Sequence, residues 1–146
     1  AVKPAWHGEL ARSDAERPAP DVVPLRARCD VVRTWELDAG DRSTAERMLT
    51  ALDRFHLWTT ATLVERLVWR PTKPLVVLLV RAFALPEPAA IARTEEHGGC
   101  RSWVEVPDDL PAASLLPSLE EEAFARWSGA VERALEEAAL PVGGRA

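Results

Sequence analysis

The sequence predicts an α+β domain, a small mixed β-sheet with about three helices packed on it. From Val23 to Leu37 the odd positions are Val, Leu, Ala, Cys, Val, Arg, Trp and Leu, the period-two signature of a half-buried strand. Leu75 to Leu85 is apolar except for Arg81, a pattern that suits a strand covered on both faces. Between and after these stretches the apolar residues recur at helical spacing, and the resulting order of strands and helices is that of an α+β arrangement. The chain has 146 residues, of which 47% are hydrophobic and 28% charged, enough for one core and too ordered in composition for a disordered segment. Its twelve prolines argue against long unbroken helices.

The elements follow in order. Residues 1–21 mix Pro, Ala, Ser and charges without a period and read as irregular or linker-like. The globular α+β part spans 22–140, and 141–146 reads as a disordered tail, all within a single domain of residues 1–146. The first strand is expected to bulge near Arg33, where the alternation fails, and Pro24 puts its start at an edge. Asp38 to Asp41 is a turn, and Ser43 with Glu46 has the spacing of a capping box. Ala45, Met48, Leu49, Leu52 and Phe55 then share one helical face. Thr59 or Thr60 caps a second helix that must end before Pro71. After the apolar strand, Leu85-Pro-Glu-Pro88 is read as its stop. Ala89 to Thr94 is read as a separate short strand, Arg101 to Val106 as another, and Asp108 to Pro117 as a loop. Ser118 with Glu121 is a second capping box for a last helix, whose stripe includes Phe124, Trp127 and Val131. That stripe is expected to cover the Leu75–Leu85 strand, with Trp127 in the core.

Composition excludes several chemistries. The chain has no Asn, Gln or Tyr, so neither a Cys-His-Asn triad nor an amide fork that reads adenine can be built. The seven glycines are placed for neither a dinucleotide fingerprint nor a phosphate loop. Two cysteines, Cys29 and Cys100, are too few for a disulfide scaffold or a four-cysteine zinc site and fit a reducing cytoplasm. No metal or cofactor is expected. The longest apolar run is far short of a membrane span, so no membrane partner is expected. Lys3 and Lys73 are the only lysines among eighteen basic residues, an arginine bias of genomic background rather than a phosphate-binding signal.

Three constellations carry possible chemistry. Arg81 lies in the middle of the most apolar strand and must find a carboxylate or several acceptors there. It either floors an anion-binding pocket or pairs with Glu65, Glu36 or another acid. His97-Gly-Gly-Cys100-Arg101-Ser102-Trp103 is the densest polar cluster. An imidazole beside a thiol can lower its pKa, which makes Cys100 and His97 candidates for nucleophilic catalysis, although Gly-Gly before a strand is also plain turn chemistry. From Arg54 to Arg81 there are five basic residues against the single acid Glu65, in a protein of net charge −5. Helical spacing puts Arg66 and Arg70 on one face.

A series of motifs runs through the same region: Trp58-Thr59, Val64-Glu65-Arg66-Leu67, Trp69-Arg70-Pro71, Lys73-Pro74-Leu75, Val77 to Arg81, Leu85 to Pro88, and Gly99-Cys100-Arg101-Ser102-Trp103-Val104-Glu105. In that order they resemble the uncharacterised, mainly bacterial family DUF1802, best over residues 55–106. His97 stands where that family tends to carry Tyr. The family's N-terminal segment has no counterpart in this chain, which implies the C-terminal part of a larger domain. The resemblance implies no activity; the company some relatives keep with restriction-type nuclease domains points to a restriction or defence system. The functional expectation is a non-catalytic, cytoplasmic binding module for nucleic acid or another anion, using Arg66, Arg70, Lys73, Arg81, Arg101 and Trp103. The alternatives are a hydrolase or transferase centred on Cys100 and His97, and an accessory domain that docks a partner protein.

Overall fold

In a computed structural model of the chain, residues 1–15, 21–98, 103–106 and 115–140 are described. Strands β1 (Val22–Leu37) and β2 (Leu75–Ala92) pair antiparallel from Val22 opposite Ala92 to Leu37 opposite Leu75. A two-residue strand, β3 (Leu116–Pro117), pairs with Phe83 and Ala84 of β2 on its other side, giving the order β1-β2-β3. The helices are α1 (His7–Ala15), α2 (Arg42–Ala51), α3 (Thr60–Trp69) and α4 (Glu121–Ala139). The architecture is α+β, as the sequence predicts. The sheet is antiparallel rather than mixed, because α2 and α3 return the chain to the same end of β1 that it left.

The core gathers at that end. Leu37, Leu49, Leu67 and Leu135 are each 1% exposed, and Ala45, Met48, Leu52 and Val131 complete the buried cluster. Trp35, Leu75, Val77 and Leu79 pack against it from one sheet face. β2 is therefore not covered on both faces. Val76, Leu78 and Val80, which point the other way, are exposed.

Two bulges shape the ribbon. Val31 pairs with Val80 and Arg33 with Leu79, so Val32 is the extra residue at the irregularity expected near Arg33. One inserted residue reverses the alternation. Cys29 and Val31 consequently lie on the open face, while Trp35 and Leu37 lie on the core face, and the odd positions do not form one buried stripe. The second bulge corrects the reading of Leu85–Pro88 as a stop. Leu25 pairs with Ala89 and Ala27 with Ala84, so Leu85–Pro88 loop out opposite Arg26 and the strand continues to Ala92. Both prolines sit where no ladder bond is needed.

Several ends differ from expectation. Asp41, not Ser43, caps α2, its carboxylate accepting from Thr44 N at 3.2 Å. Hydrogen bonding from Thr44 holds that carboxyl below the ordinary carboxylate range. Ser43 instead accepts from Arg47 Nη1 at 3.0 Å. Thr59 caps α3 as predicted. Ser118 does not cap α4, because its N–H donates to Ala82 O at 3.0 Å and so belongs to the sheet; Glu120 is the cap residue, without a side-chain bond. Trp103–Val106 lie outside regular structure, not in a strand.

The N-terminal segment is not linker-like throughout. Val2 bridges Trp58, Lys3 N donates to Leu57 O and Thr59 N to Ala1 O, which ties the chain start to the α3 entry and launches α1. Lys3 Nζ reinforces this by donating to His56 O at 2.9 Å and pairing with Asp53 Oδ1 at 3.2 Å. The expected tail, 141–146, lies outside the described residues.

Val131 is buried and Phe124 half-buried against β2, as expected, but Trp127 is 48% exposed and lies at the rim, its ring edge-on to Phe55 at 5.3 Å. Leu135→Ala is therefore expected to cost ~3–5 kcal/mol by urea unfolding, and Trp127→Ala only ~1–2 kcal/mol. Equal losses would place Trp127 in the core after all.

Candidate functional site

The basic segment divides between two places. At the end of α3 Trp69 lies beside Arg66 in the last turn and beside Arg70, the non-helical residue just past the helix, with guanidinium carbons 4.5 and 4.8 Å from the indole centroid. Lys73 follows in the tight turn closed by Lys73 N donating to Arg70 O at 2.9 Å. All three cations are exposed, Trp69 is 61% exposed, and among the described residues none of the three cations has an acidic partner. Their position at the C-terminal end of a helix matches the negative end of its dipole.

Arg81 is elsewhere. Six residues into β2 from Leu75, it lies about 20 Å along the strand from the end of the α3 turn. Its register partner Asp30 is engaged by Arg28 at 2.8 Å. The partner of Arg81 comes instead from α4, where Glu121 Oε2 lies 2.6 Å from Nη2. The sequence reading of Arg81 as an ion-paired residue is met by an acid it did not name. The guanidinium carbon lies 5.3 Å from the Phe83 centroid and 5.1 Å from that of Phe124, a cation–π clamp. The side chain of Arg81 is 24% exposed and that of Glu121 75%. Arg81 Nε is buried and has no hydrogen-bond partner.

Arg81 opens onto a cleft of about 250 Å³ between β2 and the first turns of α4, bounded by Phe55, Leu119, Phe124, Trp127 and Val131. Beyond Phe55, and sharing it with Val131, lies a smaller cavity of about 120 Å³ that His56 lines. Both ring nitrogens of His56 are buried, with the Trp58 backbone beside the ring. Burial pushes this imidazole below the usual histidine range, and nearby Lys3 adds to the shift. A broad groove between α2 and α4 has its main cation already committed: Arg47 donates to Ala138 O, Ser43 Oγ and Thr44 Oγ1 and so ties α2 to the end of α4.

The His97 cluster is only partly described. His97 Nδ1 accepts from Thr94 N–H at 3.0 Å and lies 2.8 Å from Thr94 Oγ1, closing the turn Glu95–His97. In the neutral ring this puts the proton on Nε2, which is buried without a partner. Cys100 and Arg101 lie outside the described residues, and Trp103 is 81% exposed. Among the described residues, no three His, Cys, Asp or Glu side chains are placed to hold a metal ion, and no helix is long and apolar enough to cross a membrane.

Of the six binding residues predicted, Arg66 and Arg70 meet at Trp69, Lys73 follows in the adjoining turn, and Arg81 stands apart. His56 and Glu121 were missed. Phe55-His56 in the break between two helices, and an acid at the start of a helix due to cover Arg81, were the available signals.

Arg81→Met is expected to change stability by no more than about 1 kcal/mol, because the acid it leaves behind is solvated rather than stranded. A loss of several kcal/mol in chemical denaturation would contradict that. His56 titrates below its unfolded value of 6.5 in the folded protein. The unfolded chain therefore takes up the proton first, and stability falls as pH drops below 6.5 until the folded pKa is passed. Unfolding free energies measured across that window should lose this slope in His56→Leu.

The family model described as a domain of unknown function, DUF1802, matches residues 1–130, well beyond the 55–106 stretch that carries the sequence resemblance on both sides. No curated protein and no solved structure matches the chain. With the match covering most of its length, the chain belongs to the DUF1802 family.

Proposed function

We propose that this domain is a non-catalytic binding module for a polyanion, with nucleic acid as the class that fits, and that Arg66, Arg70 and Lys73 around Trp69 form its contact surface. The observation that carries this reading is the set of three exposed cations that have no acidic partner among the described residues, on a protein whose net charge is −5. On such a chain an uncompensated cluster is a local positive field, and its partner carries closely spaced negative charge. The Trp69 indole fixes two of the guanidinium groups in place, which lowers the entropy lost when they meet phosphates.

Arg81 is not part of this surface, since it lies well along β2 from the α3 turn. Recognition would rest on phosphates. With no Asn or Gln in the chain, sequence preference would come from arginine on guanine or from nucleic-acid shape.

Three phosphate contacts on a duplex predict a salt slope near −2.7, so raising salt from 50 to 200 mM should weaken binding about 40-fold. Fluorescence anisotropy with single- and double-stranded oligonucleotides measures this directly. Replacing Arg66 and Arg70 together by Ala should abolish most of the affinity and flatten the slope. Binding no tighter than millimolar at 50 mM salt, or affinity unchanged in the double variant, rejects the proposal.

A further inference from the structure

We propose that the cleft between β2 and the first turns of α4 binds a small organic carboxylate with an aromatic or branched aliphatic body, held by Arg81 in competition with Glu121. The inference is independent of the α3 surface.

Three features converge on this ligand class. The first is a half-used fork. Nε and Nη2 form the side-on edge of a guanidinium, the edge that grips a carboxylate with two parallel hydrogen bonds. Glu121 occupies only Nη2, through one oxygen at 2.6 Å, and Nε is left buried with its donor unmet. With Glu121 swung out to water, a carboxylate that reaches this edge can take both donors, of which Glu121 takes one.

The second feature is the weakness of the present occupant. The Glu121 side chain is 75% exposed and anchored by a single contact, so releasing it to water strands no charge. The third is the cleft itself. Phe55, Leu119, Phe124, Trp127 and Val131 bound it, and among the described residues Arg81 is the one charged group that lines it. Its volume, about 250 Å³, equals that of about eight water molecules and suits a ring or branched chain carrying one acid group. An inorganic anion would meet the fork but leave the apolar walls unused. A neutral apolar molecule would fill the walls and leave Nε unmet.

The probe is phenylacetate, titrated into the full chain while NMR follows the indole N–H of Trp127, assigned with Trp127→Phe. Phenylacetate should bind and shift that signal. Its neutral isostere phenylacetamide, and inorganic phosphate, should each bind at least about tenfold more weakly. Glu121→Gln should tighten phenylacetate at least about threefold by removing the competitor, whereas Glu122→Gln, one residue on, should leave it within about twofold. Arg81→Met should lose at least about tenfold.

The proposal is overturned by the absence of any shift at 10 mM phenylacetate. It is equally overturned by phenylacetamide or phosphate binding as well as phenylacetate, or by Glu121→Gln failing to tighten it. Tightening of the same size in Glu122→Gln would mean a general charge effect and would also overturn it.

Discussion

The pairing of Leu37 with Leu75 holds the rest of the molecule in place. It closes the excursion through α2 and α3 and sets the register of a ribbon about 50 Å long. It also decides which side chains of β2 face the helices. Because Leu75, Val77 and Leu79 turn inward at this end, Arg81 is the next residue in the same row, just where the apolar core runs out. A charge at that point is neither solvated nor fully buried. The structure resolves it with two aromatic rings and one solvent-exposed carboxylate rather than with a buried acid. The cleft lies beside that solution, between β2 and α4.

The two arginine environments illustrate opposite uses of one side chain. Around Trp69, the guanidinium groups lie against an indole with their donors in water, so their charge is projected outward. At Arg81, the group lies between Phe83 and Phe124 with one donor sealed from water, so its charge is directed inward. Under the proposed function the first arrangement would suit extended polyanions, which need many weak contacts. Under the further proposal the second would suit a single well-placed acid, because a desolvated donor discriminates strongly between a partner that satisfies it and one that does not.

The fold class, both long strands, α2, α3 and α4 were readable from apolar spacing, and the bulge near Arg33 from the point where alternation failed. What escaped was long-range. Nothing in the local pattern says that Val32 is the inserted residue, and without it the face to which Cys29 and Val31 belong comes out reversed. Pro86 and Pro88 read as a stop because sequence cannot show that a four-residue bulge absorbs them. Ser118 has ideal capping chemistry and is diverted by Ala82 O, a partner 36 residues away. α1 lacks an apolar stripe and owes its place to the pairing of the first residues with Leu57–Thr59. At the site, Arg66 and Arg70 were joined by helix spacing alone, whereas the Arg81–Glu121 pair depends on how α4 docks.

The prolines of β2 have a further effect on what the sheet can become. Short β3 covers only Phe83 and Ala84 on that edge, and an uncovered strand edge is a template on which another chain can add. Immediately past Ala84, Pro86 and Pro88 offer no N–H, and the bulge that holds them twists the edge away from a straight ladder. An incoming strand that started at β3 would find no register to propagate along toward Ala92. The same four residues that let β2 run its full length thus make the stretch of its edge from Leu85 to Pro88 a poor template for a further strand.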